Sequence, residues 1–68
     1  MNIEARKNPS ITDMIEYLMQ PEVKRNLDGD TIRFLSGVNL KRLIRKTEDY
    51  TLGEGTRIEQ MYKDLTGY

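Results

Sequence analysis

The chain has 68 residues, no cysteine and no histidine, and its 11 basic side chains balance its 11 acidic ones. A chain of this length holds one domain with a thin core. The composition excludes disulfide bonds and lacks the commonest metal ligand and general base, so we expect no enzyme, catalytic residue, metal or cofactor. No apolar run approaches the roughly 20 residues of a membrane span, and no signal-peptide pattern is present, which favours a cytoplasmic protein without a membrane partner.

The first quarter of the chain predicts a loose arm followed by an amphipathic helix. Residues 1–8 are mostly polar and are assigned to the arm, and residues 9–68 to a single helical domain. Ser10 is a good N-cap, and Asp13 supplies a shorter-armed version of the capping box. Apolar residues then recur with the spacing of one helical face: Ile11, Met14, Ile15, Leu18 and Met19.

The next segment predicts a break, a short helix and a turn. Pro21 stops or kinks the first helix, because proline lacks the amide hydrogen that helix interiors need. It can also open a new short helix in which Val23 and Leu27 lie one turn apart. Asp28 and Gly29 then form a turn signal.

The middle of the chain predicts two helices separated by a sharp bend. Asp30 is a plausible N-cap for a helix over residues 31–36, and Gly37 is expected to end it in a left-handed conformation. Asn39 can then cap a helix that runs to about Tyr50. The apolar side of this helix, expected to face the core, consists of Leu40, Leu43, Ile44 and Thr47.

The last quarter predicts a linker and a final helix. Residues 52–55 contain two glycines and are interpreted as a flexible connection. Thr56 and Glu59 have the spacing of a capping box, and Gly67 is expected to close the helix. One face of this helix carries Ile58, Met61, Tyr62 and Leu65. The chain as a whole therefore predicts an all-α bundle of four to five short helices.

A basic cluster stands out in the helix expected after Gly37. Lys41, Arg42, Arg45 and Lys46 lie on the side opposite the apolar residues. Like charges four residues apart cost an isolated helix about 0.2–0.5 kcal/mol per pair. Because the positive charges are present despite this cost, we expect the surface to bind an anionic partner. The alternative is an ordinary solvated face, partly neutralised by Asp49.

The residues around this cluster resemble a family of DNA-binding regulators. The segment from Thr31 to Asn39 is similar to the first helix and tight turn of the helix-turn-helix in Cro/CI-type phage and bacterial repressors, and the resemblance extends over residues 31–68. It implies a helix-turn-helix at 31–50. In that arrangement the groove-facing residues would be Asn39, Lys41, Arg42 and Arg45, with Lys46 nearer the phosphates.

Two classes of function follow for a small, non-enzymatic regulatory protein of the phage or bacterial type. The first is DNA binding and transcription regulation through the helix-turn-helix. The alternative is a protein-binding inhibitor, adaptor or antirepressor acting on a host or phage protein, suggested by Met14, Met19 and Met61, because flexible thioethers suit adaptable contact surfaces. A homodimer is consistent with either class, since a partner chain could supply burial that a thin core lacks.

Overall fold

The structure is a computed structural model that describes residues 9–67, so the predicted arm at 1–8 lies outside the described residues. Four helices occupy this range: α1 (Ile11–Leu18), α2 (Pro21–Lys24), α3 (Gly29–Arg45) and α4 (Leu52–Thr66). No strand occurs in residues 9–67. The prediction of a small all-α domain is confirmed.

The first two helices begin as their sequence signals predict. The Ser10 side chain accepts a hydrogen bond from the Asp13 amide at 3.1 Å, and the Asp13 carboxylate accepts one from the Ser10 amide at 3.3 Å. These reciprocal bonds satisfy two donors that a helix N-terminus leaves unpaired. Pro21 occupies the first turn of α2, where its missing amide hydrogen costs nothing.

Helix α1 is central to the core and contacts each of the other three helices. Its stripe packs against residues from the middle of α3 and from α4, and the Tyr17 ring meets the Tyr62 ring edge-on at 5.4 Å between centroids. Such edge-to-face pairs add to the free energy gained by burial. The buried core residues are Met14, Ile15, Leu18, Leu35, Val38, Ile58 and Tyr62.

The bend predicted at Gly37 is absent. Helix α3 runs without interruption from Gly29 to Arg45, so Gly37 lies in a helix interior and does not take a positive φ. The helix-turn-helix predicted at 31–50 therefore does not form in this structure. Glycine lowers helix stability by only about 1 kcal/mol relative to alanine, which the burial of Leu35 and Val38 on either side readily offsets.

Replacement of Gly37 by alanine tests whether α3 continues through this residue, because the sign of the change in the free energy of unfolding differs between a helix interior and a bend. A Cβ at Gly37 would meet nothing within 4 Å, so Gly37→Ala should raise the free energy of unfolding by about 0.5–1 kcal/mol. A left-handed bend would make the same change destabilising. Gly67→Ala is the matched control. Gly67 has φ +80°, which alanine adopts only with strain, so this variant should lower the free energy of unfolding. Chemical denaturation of both variants supplies the comparison.

Both ends of α3 differ from their predicted positions. The N-cap is Asp28, whose carboxylate accepts a hydrogen bond from the Thr31 amide at 2.7 Å, and not Asp30. The helix ends at Arg45 rather than near Tyr50, and Lys46 takes the left-handed conformation, with φ 53°. Its amide still donates to the Arg42 carbonyl at 2.9 Å, which satisfies one of the last carbonyls of the helix.

Helix α4 begins five residues before its predicted start. The Thr51 side chain accepts from the Glu54 amide at 3.1 Å, and the Glu54 carboxylate accepts from the Thr51 amide at 3.0 Å. The predicted linker at 52–55 is thus the first turn of α4, and Thr56 lies inside the helix instead of capping it. Gly67 closes the helix in the left-handed conformation, as predicted.

Candidate interaction surface on helix α3

The continuity of α3 decides which of its faces meets the core. Leu35 and Val38 are buried, and Arg42 follows them at the spacing of the same helical face. Arg42 is accordingly drawn towards the core and is partly buried. Residues on the opposite side of the helix must face away. The predicted inward orientation of the leucines is therefore wrong, whereas Lys41, Arg45 and Lys46 are exposed as predicted and Arg42 is not.

The apolar residues of the second half of α3 form an exposed patch, which we call the outer strip: Leu40, Leu43 and Ile44. Their exposed fractions are 57%, 56% and 70%. Gly37 lies one turn before Leu40 on this side and is itself exposed. A Cβ at Gly37 would contact nothing, so the surface beside Leu40 is open to close approach by another chain.

The first two cations of the basic cluster contact this protein's own polar groups. The Lys41 ammonium donates to the Glu54 carboxylate at 3.4 Å, across the gap between α3 and α4. The Arg42 guanidinium donates from Nη2 to the Asn39 side-chain oxygen at 2.9 Å. Asn39 and Arg42, both partly buried, are thus tied to each other and not displayed as base-reading groups would be.

The remaining two cations, Arg45 and Lys46, are exposed at the end of α3. The five residues predicted to contact nucleic acid therefore occupy different environments, and no turn aligns them as a recognition helix. Residues 37–46 contain four cations and no carboxylate, so this half of the helix is positive although the chain is neutral. That charge borders the outer strip.

Glu54 links the start of α4 to this region electrostatically. The hydrogen bond from the Thr51 amide, helped by the ammonium of Lys41, holds the pKa of the Glu54 carboxyl below its ordinary value, although burial opposes the shift. Stabilisation by a carboxylate with a lowered pKa is present above its unfolded pKa and is lost as the pH falls through the folded value. The cap of α4 therefore weakens in acid.

The methionines that suggested adaptable contacts serve mainly in the core, together with two of the tyrosines. Met14 and Tyr62 are buried, and Met19 and Met61 pack against the core cluster. Tyr50 is partly buried, and its hydroxyl lies 2.6 Å from the Thr12 hydroxyl. Sequence reasoning thus missed the surface that is actually apolar, because it placed the leucines of α3 inside.

Within residues 9–67, no group of three or more histidine, cysteine or carboxylate side chains is arranged to hold a metal ion. None of the helices described in this range is long and apolar enough to cross a membrane. Comparison of the chain with models of protein families, with curated proteins and with solved structures finds no match. The surface of α3 is therefore the feature of residues 9–67 that bears on function.

Proposed function

We propose that this chain is a small regulatory protein that binds another protein through the outer strip, as an inhibitor, adaptor or antirepressor does. The observation that carries this proposal is the exposure of Leu40, Leu43 and Ile44 on one continuous helix face. Full burial of a leucine or isoleucine side chain is worth about 1.5–3 kcal/mol. A contiguous apolar patch bordered by charge is the usual form of a protein-binding site.

The charges around the strip indicate the chemistry of the partner. Lys41 and Arg45 border the strip on one side, and Lys46 follows it at the end of the helix. An amphipathic helix with an apolar face and acidic flanks complements this arrangement, since opposite charges at the rim of an interface favour encounter and fix register. A second copy of the chain would bring the same cations together across the seam. We therefore assign the strip to an acidic segment of a different protein.

DNA binding by the same helix has less support. It stays a prediction for the five residues Asn39, Lys41, Arg42, Arg45 and Lys46, but the turn that would present them is absent. Lys41 contacts Glu54 at 3.4 Å, which places a carboxylate beside one of the predicted groove-facing residues. The outer strip would also remain in water in such a complex. Protein binding accounts for more of the surface.

Two designed helical peptides with identical leucine spacing test the proposal, one flanked by glutamates and one by lysines. Binding to the full chain is measured by fluorescence anisotropy at several salt concentrations. We expect the acidic peptide to bind about tenfold or more tightly than the basic one, with an advantage that shrinks as salt rises. Leu43→Ser combined with Ile44→Ser should weaken acidic-peptide binding by about tenfold or more, because truncation of buried anchors dominates interface energetics.

Leu52→Ser is the matched control, because Leu52 is 88% exposed at the start of α4, outside the strip. This variant should bind the acidic peptide as the parent does. Equal affinity for both peptides, or full binding by the double variant, would contradict the proposal. A duplex DNA shift that Arg45→Glu removes would support nucleic-acid binding instead. Sedimentation showing a dimer that the double variant lacks would assign the strip to a second copy.

A further inference from the structure

Gly37 occupies a position in α3 where the packing of this chain does not require a glycine. It is the central residue of the 17-residue helix. Glycine in the middle of a helix is destabilising relative to alanine, because it loses more backbone freedom on folding. The φ of Gly37 is not positive, and a Cβ placed on it would meet no atom within 4 Å. Neither the backbone conformation nor a close neighbour in residues 9–67 therefore accounts for this glycine.

The other glycines of residues 9–67 occupy different positions in their helices. Gly29, Gly53 and Gly55 lie within the first four residues of α3 or α4, where helix ends fray and a glycine matters less. Gly67 ends α4 with φ +80°, a conformation that glycine adopts without strain. Among these five, Gly37 is the one that weakens a helix centre without serving the fold.

Gly37 belongs to the same exposed face as the outer strip. Leu40 and Ile44 follow it at three and seven residues, which is the spacing of one helical face, and all three are exposed. Arg33 precedes it by one turn, and the Arg33 side chain is 84% exposed. Since glycine has no side chain, this face is open down to the backbone of α3 between a charged residue and an apolar one.

An opening of this kind suits a partner that is itself helical. The axes of two packed helices lie about 8–10 Å apart, and the side chains at the crossing point set the distance. A glycine on one helix allows the closest approach when the facing residue of the other helix is also small. A close crossing at Gly37 would bring the partner's side chains down onto Leu40 and Ile44, one and two turns further along α3.

We propose that the partner helix crosses α3 over Gly37 and carries a small residue, such as alanine, glycine or serine, at the crossing point. This inference rests on the proposed function, because it assigns the geometry of the same partner on the same face. The acidic flanks of the partner helix lie beside the cations of α3, and its apolar residues cover the outer strip. Gly37 thus lowers the stability of the free chain and raises its affinity for the partner.

Gly37→Ala separates these two effects, because it should raise the thermal unfolding midpoint of the full chain and still weaken binding. The probes are two versions of the designed glutamate-flanked helical peptide, one with alanine and one with leucine at the crossing position. Fluorescence anisotropy measures the affinity of each. We expect the parent to bind the alanine peptide about tenfold more tightly than the leucine peptide. Gly37→Ala should weaken alanine-peptide binding about tenfold, because added volume at a close contact is destabilising.

Gly53→Ala is the matched control, since it makes the same change at an exposed glycine of α4 whose Cβ would also meet nothing within 4 Å. It should leave binding unchanged. If Leu43→Ser with Ile44→Ser weakens binding but Gly37→Ala does not, the strip is a docking site and the crossing at Gly37 is overturned. Equal affinity of the parent for the two peptides, or an equal loss in Gly53→Ala, would also overturn the crossing. Failure of the parent to bind either peptide would overturn the proposed function together with this inference.

Discussion

Replacing Leu35 by alanine is expected to lower the free energy of unfolding by about 2–5 kcal/mol. Leu35 is fully buried in the middle of α3, and its truncation leaves a cavity against the central helix α1. A domain of this size has a total stability of only several kcal/mol, so the variant should be largely unfolded or melt far below the parent. Circular dichroism with thermal and urea denaturation measures the loss.

Leu43→Ala is the control that makes the comparison decisive. It removes the same atoms from the same helix, eight residues further on, but Leu43 is 56% exposed in the outer strip. Its effect should stay within about 0.5 kcal/mol, as for most surface substitutions. The orientation predicted from the helix-turn-helix resemblance requires a large loss at Leu43. Comparable losses at the two leucines would contradict the orientation of α3 described above.

Replacing Thr51 by alanine should cost between about 0.5 and 2 kcal/mol, because the N-cap side chain satisfies an amide that the first turn of α4 otherwise leaves unpaired. In a domain of 60–100 residues, each kcal/mol corresponds to a shift of roughly 4–8 °C in the unfolding midpoint. Differential scanning calorimetry resolves a change of this size. The reciprocal bond to the Glu54 carboxylate comes from the backbone amide of residue 51, so this variant removes only one side of the capping box.

Thr56→Ala is the paired variant, because the sequence offers a second threonine with a glutamate three residues later. Thr56 lies inside α4 in the structure, where alanine is the better helix former, so its replacement should be neutral or slightly stabilising. If the helix began at Thr56, the two effects would be exchanged. A larger loss of stability for Thr56→Ala than for Thr51→Ala would indicate that residues 52–55 form a flexible linker, as their glycines suggested.

The elements with strong local signals were predictable. Ser10 with Asp13, Pro21 and Gly67 each restrict the backbone through their own chemistry, and the structure places all of them as their sequence context predicts. Helix α1 was also predictable as an amphipathic helix, because its apolar residues lie on a single helical face and no second apolar face competes with it. Local capping, ring closure and positive φ act within one turn, so sequence spacing identified these three, although the same kind of signal at Thr56 and Glu59 does not cap α4.

The candidate site was predictable in composition and not in orientation. Gly37 and Lys46 show why: glycine is the usual residue at a left-handed helix end, yet here α3 continues through Gly37 and ends with Lys46 in that conformation. The difference between the two choices is on the order of 1 kcal/mol, which tertiary packing easily outweighs. The helix ends nine residues later than predicted, and this changes which side of residues 37–45 faces the core.

The sequence by itself determined an all-α chain, the local signals at Ser10, Pro21 and Gly67, and a positive segment beside an apolar one in residues 37–46. Only the tertiary structure decided that this apolar segment faces outward and that Arg42 turns towards the core. Helix α3 carries two apolar faces, and the spacing of its apolar residues does not indicate which of them packs against the core. Burial of Leu35 and Val38 against α1 selects one face, and the other is left for a partner.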